Sequence, residues 1–209
     1  MSGYKHISFD LDGTLINSFA VMEIAWKTAT GELNINCGFA EYRRYVGLPF
    51  PKILAMLGLA NFEIELSEIY FANTRRLFNE IPVIDGANAV LDRCRALGLG
   101  TSIITSKPRH NSEMLLERMG FDVDKLICGD DLTRGKPDPM AGRLLCETFS
   151  LAPSEVLYVG DAIFDFQFAL NAGHGFVLFD DHGANRMPSN MINAVTSVSE
   201  LSALEGFFG

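Results

Sequence analysis

FDLDGTLINS, residues 9–18, sets Asp10 and Asp12 one residue apart where the apolar run YKHISF (4–9) ends. Two like charges this close repel, and carboxylates beside a core lose solvation. A turn accounts for one acidic residue. Two of them, followed by Gly13 and Thr14, point to a site that holds a cation and uses one carboxylate for further chemistry.

Working outward, the same kind of apolar run recurs in LGTSIIT (99–105), KLICG (125–129), EVLYVG (155–160) and HGFVLF (174–179). These runs lack clean alternation, as strands buried on both faces of a parallel sheet do. Helical patterns lie between them. In GANAVLDRCRALG (86–98), Ala89, Leu91, Cys94 and Leu97 share roughly one face, with Asp85 as the expected cap and Gly98 as the stop. PRHNSEMLLERMG (108–120) runs from a proline to a glycine, and DPMAGRLLCETFS (138–150) carries Pro139 just inside its expected start. The alternation predicts an α/β fold with a doubly wound parallel sheet. The C-terminal SVSELSALEGFFG (197–209) is expected to form a last helix over the sheet.

Residues 15–80 break this rhythm. VMEIAWKTATGEL (21–33), EYRRYV (41–46), PKILAMLGL (51–59) and ELSEIYFANTRRLFNE (65–80) all have helical spacing. The expected organisation is a catalytic core from residues 1–15 and 82–209, with a small helical cap domain, 16–81, inserted after the first strand. Its hinges would lie at Ile16–Ser18 and Ile81–Gly86.

A net charge of −9 argues against a nucleic-acid partner, because phosphate backbones are held by clustered Lys and Arg. A small phosphorylated substrate is still allowed, since a divalent metal and one or two lysines reverse the sign locally. The four cysteines, Cys37, Cys94, Cys128 and Cys146, contain no CxxC pair and read as reduced core residues, neither a disulfide framework nor a zinc site. His6, His110, His174 and His182 show no metal-ligand spacing. MSGYKHISFD has no apolar stretch of signal-peptide length, and no later run approaches a membrane span. A cytoplasmic protein without membrane contacts, monomeric or weakly dimeric, is expected.

Ligands of open α/β sheets sit beyond the carboxyl ends of the strands. That rule gathers Asp10–Thr14, Thr105–Lys107, Gly129–Lys136 and Gly160–Asp165. Through DLDGT (10–14), IITS (103–106), GKPDP (135–139) and GDAIFD (160–165), in that order, the sequence resembles the haloacid-dehalogenase-like hydrolases. More narrowly it resembles their phosphatase branch with a helical cap, and the phosphoglycolate phosphatases and pyrophosphatases within it. The resemblance covers nearly the whole chain.

It implies that Asp10 is the nucleophile that takes the phosphoryl group, and that Asp12 is the general acid and then the base. Thr105 and the Ser106 amide would bind phosphate oxygens at a helix N-terminus, and Lys136 would supply fixed positive charge. Mg²⁺ would be held by Asp10, the Asp12 carbonyl and Asp161, with Asp165 either reaching the metal through water or orienting Lys136. Lys107 is a candidate substrate contact. In the cap, YVGLPFP (45–51) marks the expected recognition loop, which makes Arg43 and Lys52 candidates for a second anionic group. Phosphoglycolate-like compounds and pyrophosphate are the first substrates to expect. A phosphomutase of the β-phosphoglucomutase type and a non-catalytic binding protein are the alternatives. The apolar hinge stretch INSFAVMEIAW argues against the mutase, and the retained Asp10, Asp12, Lys136 and Asp161 argue against the binding protein. The superfamily's dehalogenases lack the acid at position 12.

Overall fold

The computed structural model describes residues 3–180, 187–188, 191 and 195–208. His182 lies outside the described residues. Six strands, β1 (His6–Phe9), β2 (Gly100–Ile104), β3 (Lys125–Ile127), β4 (Val156–Gly160), β5 (Gly175–Phe179) and β6 (Ser197–Val198), form one parallel sheet in the order β3-β2-β1-β4-β5-β6. The chain direction across the sheet reverses between β1 and β4, and a crevice opens there at the strands' carboxyl ends. Register sharpens it. Phe9 lies opposite both Ile103 and Val159, so the residues that follow β1, β2 and β4 emerge within one residue of the same level.

The central strands are buried on both faces, which explains their unbroken apolar runs. Ile7, Phe9, Ile103, Leu157 and Val159 pack toward α5 (Ala87–Ala96), α6 (Arg109–Met119) and the C-terminal segment. Ile104, Ile127, Val156 and Tyr158 face α7 (Met140–Phe149) and α8 (Ile163–Ala172) on the other side.

Some local details differ from expectation. The N-cap of α5 is Gly86, in the left-handed region at φ 85°, and Asp85 does not cap the helix. Its buried face is Ala87, Val90, Leu91 and Cys94. Ala89 sits half a turn from that arc, and Leu97, past the last turn, is exposed. At α7, Pro139 occupies the N-cap position, and the Met140 N–H is capped by Asp138 Oδ1 at 3.0 Å. The C-terminal stretch gives strand β6 and a 3₁₀ helix, Leu201–Phe207, whose Leu201 and Leu204 are buried. A two-residue edge strand held by main-chain pairing leaves no apolar run to find.

Between β1 and α5 the chain forms α1 (Phe19–Glu32), α2 (Phe39–Arg43), α3 (Phe50–Met56) and α4 (Glu63–Arg76). Their apolar residues make a cluster of their own around Trp26, which stacks on Tyr42 at 4.3 Å and donates its indole N–H to the Cys37 carbonyl at 3.0 Å. Truncating so fully buried an indole to Ala would cost about 3–5 kcal/mol. The two strands of chain that enter and leave these helices are tied together. Asn17 N–H donates to the Pro82 carbonyl at 3.0 Å, Ile84 N–H donates to the Leu15 carbonyl at 2.9 Å, and Ile16 bridges Val83. No helix among the described residues is long and apolar enough to cross a membrane. All four cysteines are free thiols, with Cys94 and Cys128 buried and Cys37 and Cys146 half-buried.

Candidate active site

Asp10 follows β1 directly, and its N–H is fixed by the Val159 carbonyl at 2.8 Å. The side chain is almost fully buried. Lys136, buried as well, reaches across from the loop before α7 and places its Nζ 2.5 Å from Asp10 Oδ1, 2.7 Å from Asp165 Oδ1 and 3.1 Å from the Tyr158 hydroxyl. Those three partners use all three hydrogens of the ammonium and fix its position. Burial pushes the Lys136 ammonium down, but Asp10 and Asp165 outweigh it and hold the group well above the ordinary lysine value.

Asp161 follows β4 beside Asp10, and carboxylate oxygens of Asp10, Asp161 and Asp165 lie within 4.8 Å of one another. Gly13 makes this packing possible. Its φ is 93°, and a Cβ there would sit 2.4 Å from Asp161 Oδ2. Asp165 stands in the first turn of α8. One oxygen takes the Lys136 ammonium, and the other accepts the Ala162 N–H at 3.0 Å in a capping box.

Asp12 Oδ1 accepts a short hydrogen bond from the Ser18 hydroxyl and pairs with Lys107 Nζ at 2.8 Å. Ser18 opens α1 without capping it, so its hydroxyl serves Asp12. Thr105, buried at the end of β2, accepts the Lys107 N–H at 3.2 Å. The Ser106 hydroxyl donates to the Gly47 carbonyl at 2.6 Å, and a Cβ at Gly135 would meet Pro49 Cγ at 2.7 Å. The Gly47–Pro49 turn therefore rests on two of the loops that surround Asp10.

Burial raises the Asp10 carboxyl to about 7; Lys136 opposes the rise, while Asp165, Asp161 and Asp12 add to it. In their charged forms, the four carboxylates Asp10, Asp12, Asp161 and Asp165 outnumber the ammonium groups Lys107 and Lys136 by two. A divalent cation between Asp10 and Asp161 would balance that excess and hold Asp10 ionised, and carboxylate oxygens are the donors a hard cation takes. The residues fit the metal that the motifs imply.

Asp10, Asp12, Thr105, Ser106 and Lys107 line a cavity of about 50 Å³ whose remaining wall comes mostly from α1–α4 and the turn between α2 and α3, including Tyr42, Leu48, Phe50 and Tyr70. Two of the sequence-derived candidates stand apart from it. Arg43 lays its guanidinium over the Phe19 ring at 4.8 Å, Lys52 is exposed at the start of α3, and neither lines the cavity. Three residues that sequence reasoning passed over as site residues belong near the chemistry. Tyr158 holds Lys136, Ser18 holds Asp12, and Tyr70 lines the cavity with its hydroxyl 3.0 Å from that of Tyr42. The signal for Tyr158 was its place two residues before the strand-end Gly160, inside a run that otherwise reads as core.

Residues 7–179 match the family model for haloacid dehalogenase-like hydrolases. The phosphoglycolate phosphatase of Thiobacillus denitrificans is 30% identical over 181 residues, 81% of this chain and 80% of that protein. The 6-phosphogluconate phosphatase of Escherichia coli is 27% identical over 179 residues, covering 83% and 81%. A hydrolase from Pseudomonas syringae superposes with a TM-score of 0.83 at 24% identity, over 97% of this chain and 96% of that one, a likeness of fold. The chain belongs to the haloacid dehalogenase-like hydrolase family, in its phosphatase branch.

Proposed function

We propose that this phosphatase is a Mg²⁺-dependent phosphomonoesterase of small metabolites that passes the phosphoryl group through Asp10. The observation that carries the reading is the setting of Asp10: a buried carboxylate at the sheet's switch point, 2.5 Å from a lysine that two further groups hold in place. A carboxylate so placed attacks phosphorus and releases the alcohol, splitting one hard displacement into two easier ones. Lys136 supplies fixed positive charge to the transferring oxygens, and Asp165 and Tyr158 position it. Asp12 protonates the leaving oxygen and then takes a proton from the attacking water, with Ser18 and Lys107 holding its carboxylate in place. Thr105 and the Ser106 N–H stand at the end of β2 for the phosphoryl oxygens. Asp10, Asp161 and the Asp12 carbonyl would hold Mg²⁺, which supplies charge neutralisation at the phosphoryl group.

Residues 16–81 act as a cap that closes over the ester and keeps water from the acid–base pair, with the paired segments at Ile16–Asn17 and Pro82–Ile84 as hinges. Named relatives that act on phosphoglycolate and 6-phosphogluconate support a small phosphorylated metabolite, and the confined cavity beside Asp10 suits a small one. Phosphate release from such compounds, with Mg²⁺ or with EDTA, tests the reading. Turnover should need Mg²⁺ and should fall by about 10²–10⁴-fold in Asp12→Asn, as losing a general acid–base demands. Undiminished turnover in EDTA or in Asp12→Asn would overturn it.

A further inference from the structure

The cavity wall opposite Asp10 has an unusual chemistry for a phosphatase of charged metabolites. The cap contributes Tyr42, Val46, Leu48, Phe50, Tyr70 and Phe71 to it, among others, and no charged side chain. The charged groups in the lining are Asp10, Asp12 and Lys107, and Lys107 is already paired with Asp12 at 2.8 Å. Arg43 and Lys52 lie outside the lining.

An anion on the far end of a substrate would leave water to face aromatic rings. Phe50 stacks on Tyr70 at 4.9 Å, Phe71 packs on Phe50 at 5.0 Å, and ring faces carry negative potential. A buried charge without a partner is strongly disfavoured, whereas an apolar tail gains from the same wall. The polar groups the cap offers suit a neutral oxygen better than an anion. The Tyr42 hydroxyl donates to Tyr70 at 3.0 Å, which leaves the Tyr70 hydroxyl hydrogen as a donor. Burial, with Tyr42 and Asp12 nearby, holds that hydroxyl well above the ordinary tyrosine value.

We propose that the substrate is a short phosphate monoester whose alcohol portion is uncharged and mostly apolar, and that the cap discriminates against esters bearing a second anionic group. This rests on the phosphatase reading above and narrows its substrate class. The test compares kcat/KM of the Mg²⁺-loaded enzyme at pH 7.5 for three esters of similar size. They are isobutyl phosphate, its near-isostere phosphoglycolate, and 2-aminoethyl phosphate. Isobutyl phosphate should exceed each charged ester by at least about tenfold. Phe71→Arg, at a half-buried position on the wall, should raise kcat/KM for phosphoglycolate and lower it for isobutyl phosphate. Turnover with phosphoglycolate equal or preferred overturns this proposal and leaves the phosphatase reading intact. A preference for 2-aminoethyl phosphate also overturns it and makes the aromatic wall a cation site. Hydrolysis of none of the three, nor of any ester in a broader panel, overturns the phosphatase reading and this proposal with it.

Discussion

Replacing Lys136 with Met keeps the length of the side chain and removes its charge and its donors. The ammonium makes bonds of 2.5 Å to Asp10, 2.7 Å to Asp165 and 3.1 Å to Tyr158, all buried. Breaking a buried ion pair from one side costs about 3–5 kcal/mol, because the remaining charge is left uncompensated. The cost depends on pH, and its sign follows from Asp10. That carboxyl stands at about 7 in the folded chain against an ordinary 3.8, so the folded state binds the extra proton between those values. Stability therefore falls as pH rises through that window. At pH 5 Asp10 is protonated and needs no cation, so the substitution then costs less than at pH 7.5. Urea unfolding without added metal should show Lys136→Met destabilised by about 3–5 kcal/mol at pH 7.5 and by less at pH 5. Phosphate release by the same variant should fall by about 10²–10³-fold. A loss of stability below about 1 kcal/mol at pH 7.5, or one no smaller at pH 5, would refute the account of this cluster.

Metal binding should follow the same charge balance. Since a cation displaces the proton that Asp10 holds below about 7, Mg²⁺ should raise Tm more at pH 7.5 than at pH 5, which differential scanning fluorimetry checks. Equal shifts at both pH values would remove Asp10 from the metal site. Ser106→Ala deletes the 2.6 Å bond to the Gly47 carbonyl that helps seat the Gly47–Pro49 turn on the core. Losing about 1 kcal/mol of closure should raise KM about fivefold while kcat stays within about twofold, as steady-state kinetics would show.

The sequence announced the reactive end of the sheet because each central strand ends where its chemistry begins. Asp10 comes after Phe9, Thr105 after Ile104, and Asp161 after Gly160, and parallel register brings the three to within one residue of the same level. Residues that act through others were harder to see. Tyr158 looks like any strand aromatic until the loop carrying Lys136 folds back over β4, and Ser18 looks like a helix cap until its hydroxyl is found on Asp12. Asp165 was legible through GDAIFD as a group that reaches the metal through water or orients Lys136, and its Oδ1 lies 2.7 Å from the Lys136 ammonium. The substrate side was the least legible. Arg43 and Lys52 read as anion contacts from their nearness to the Gly-Leu-Pro turn, yet helix register sends one to the Phe19 ring and the other to solvent. The wall of the cavity is instead made of residues whose spacing reads as ordinary helical core. The same ambiguity hid β6, whose two residues carry no apolar pattern.

The central claim is that Asp10 becomes covalently phosphorylated. Acid quenching of the enzyme during turnover with Mg²⁺ and a hydrolysed ester, followed by borohydride reduction and peptide mass spectrometry, reads this directly, because an acyl phosphate at Asp10 is converted to homoserine at that position. The account predicts homoserine at residue 10 in the wild type and none in Asp10→Asn. Full turnover with residue 10 unmodified, or with the label on another carboxylate, would contradict it.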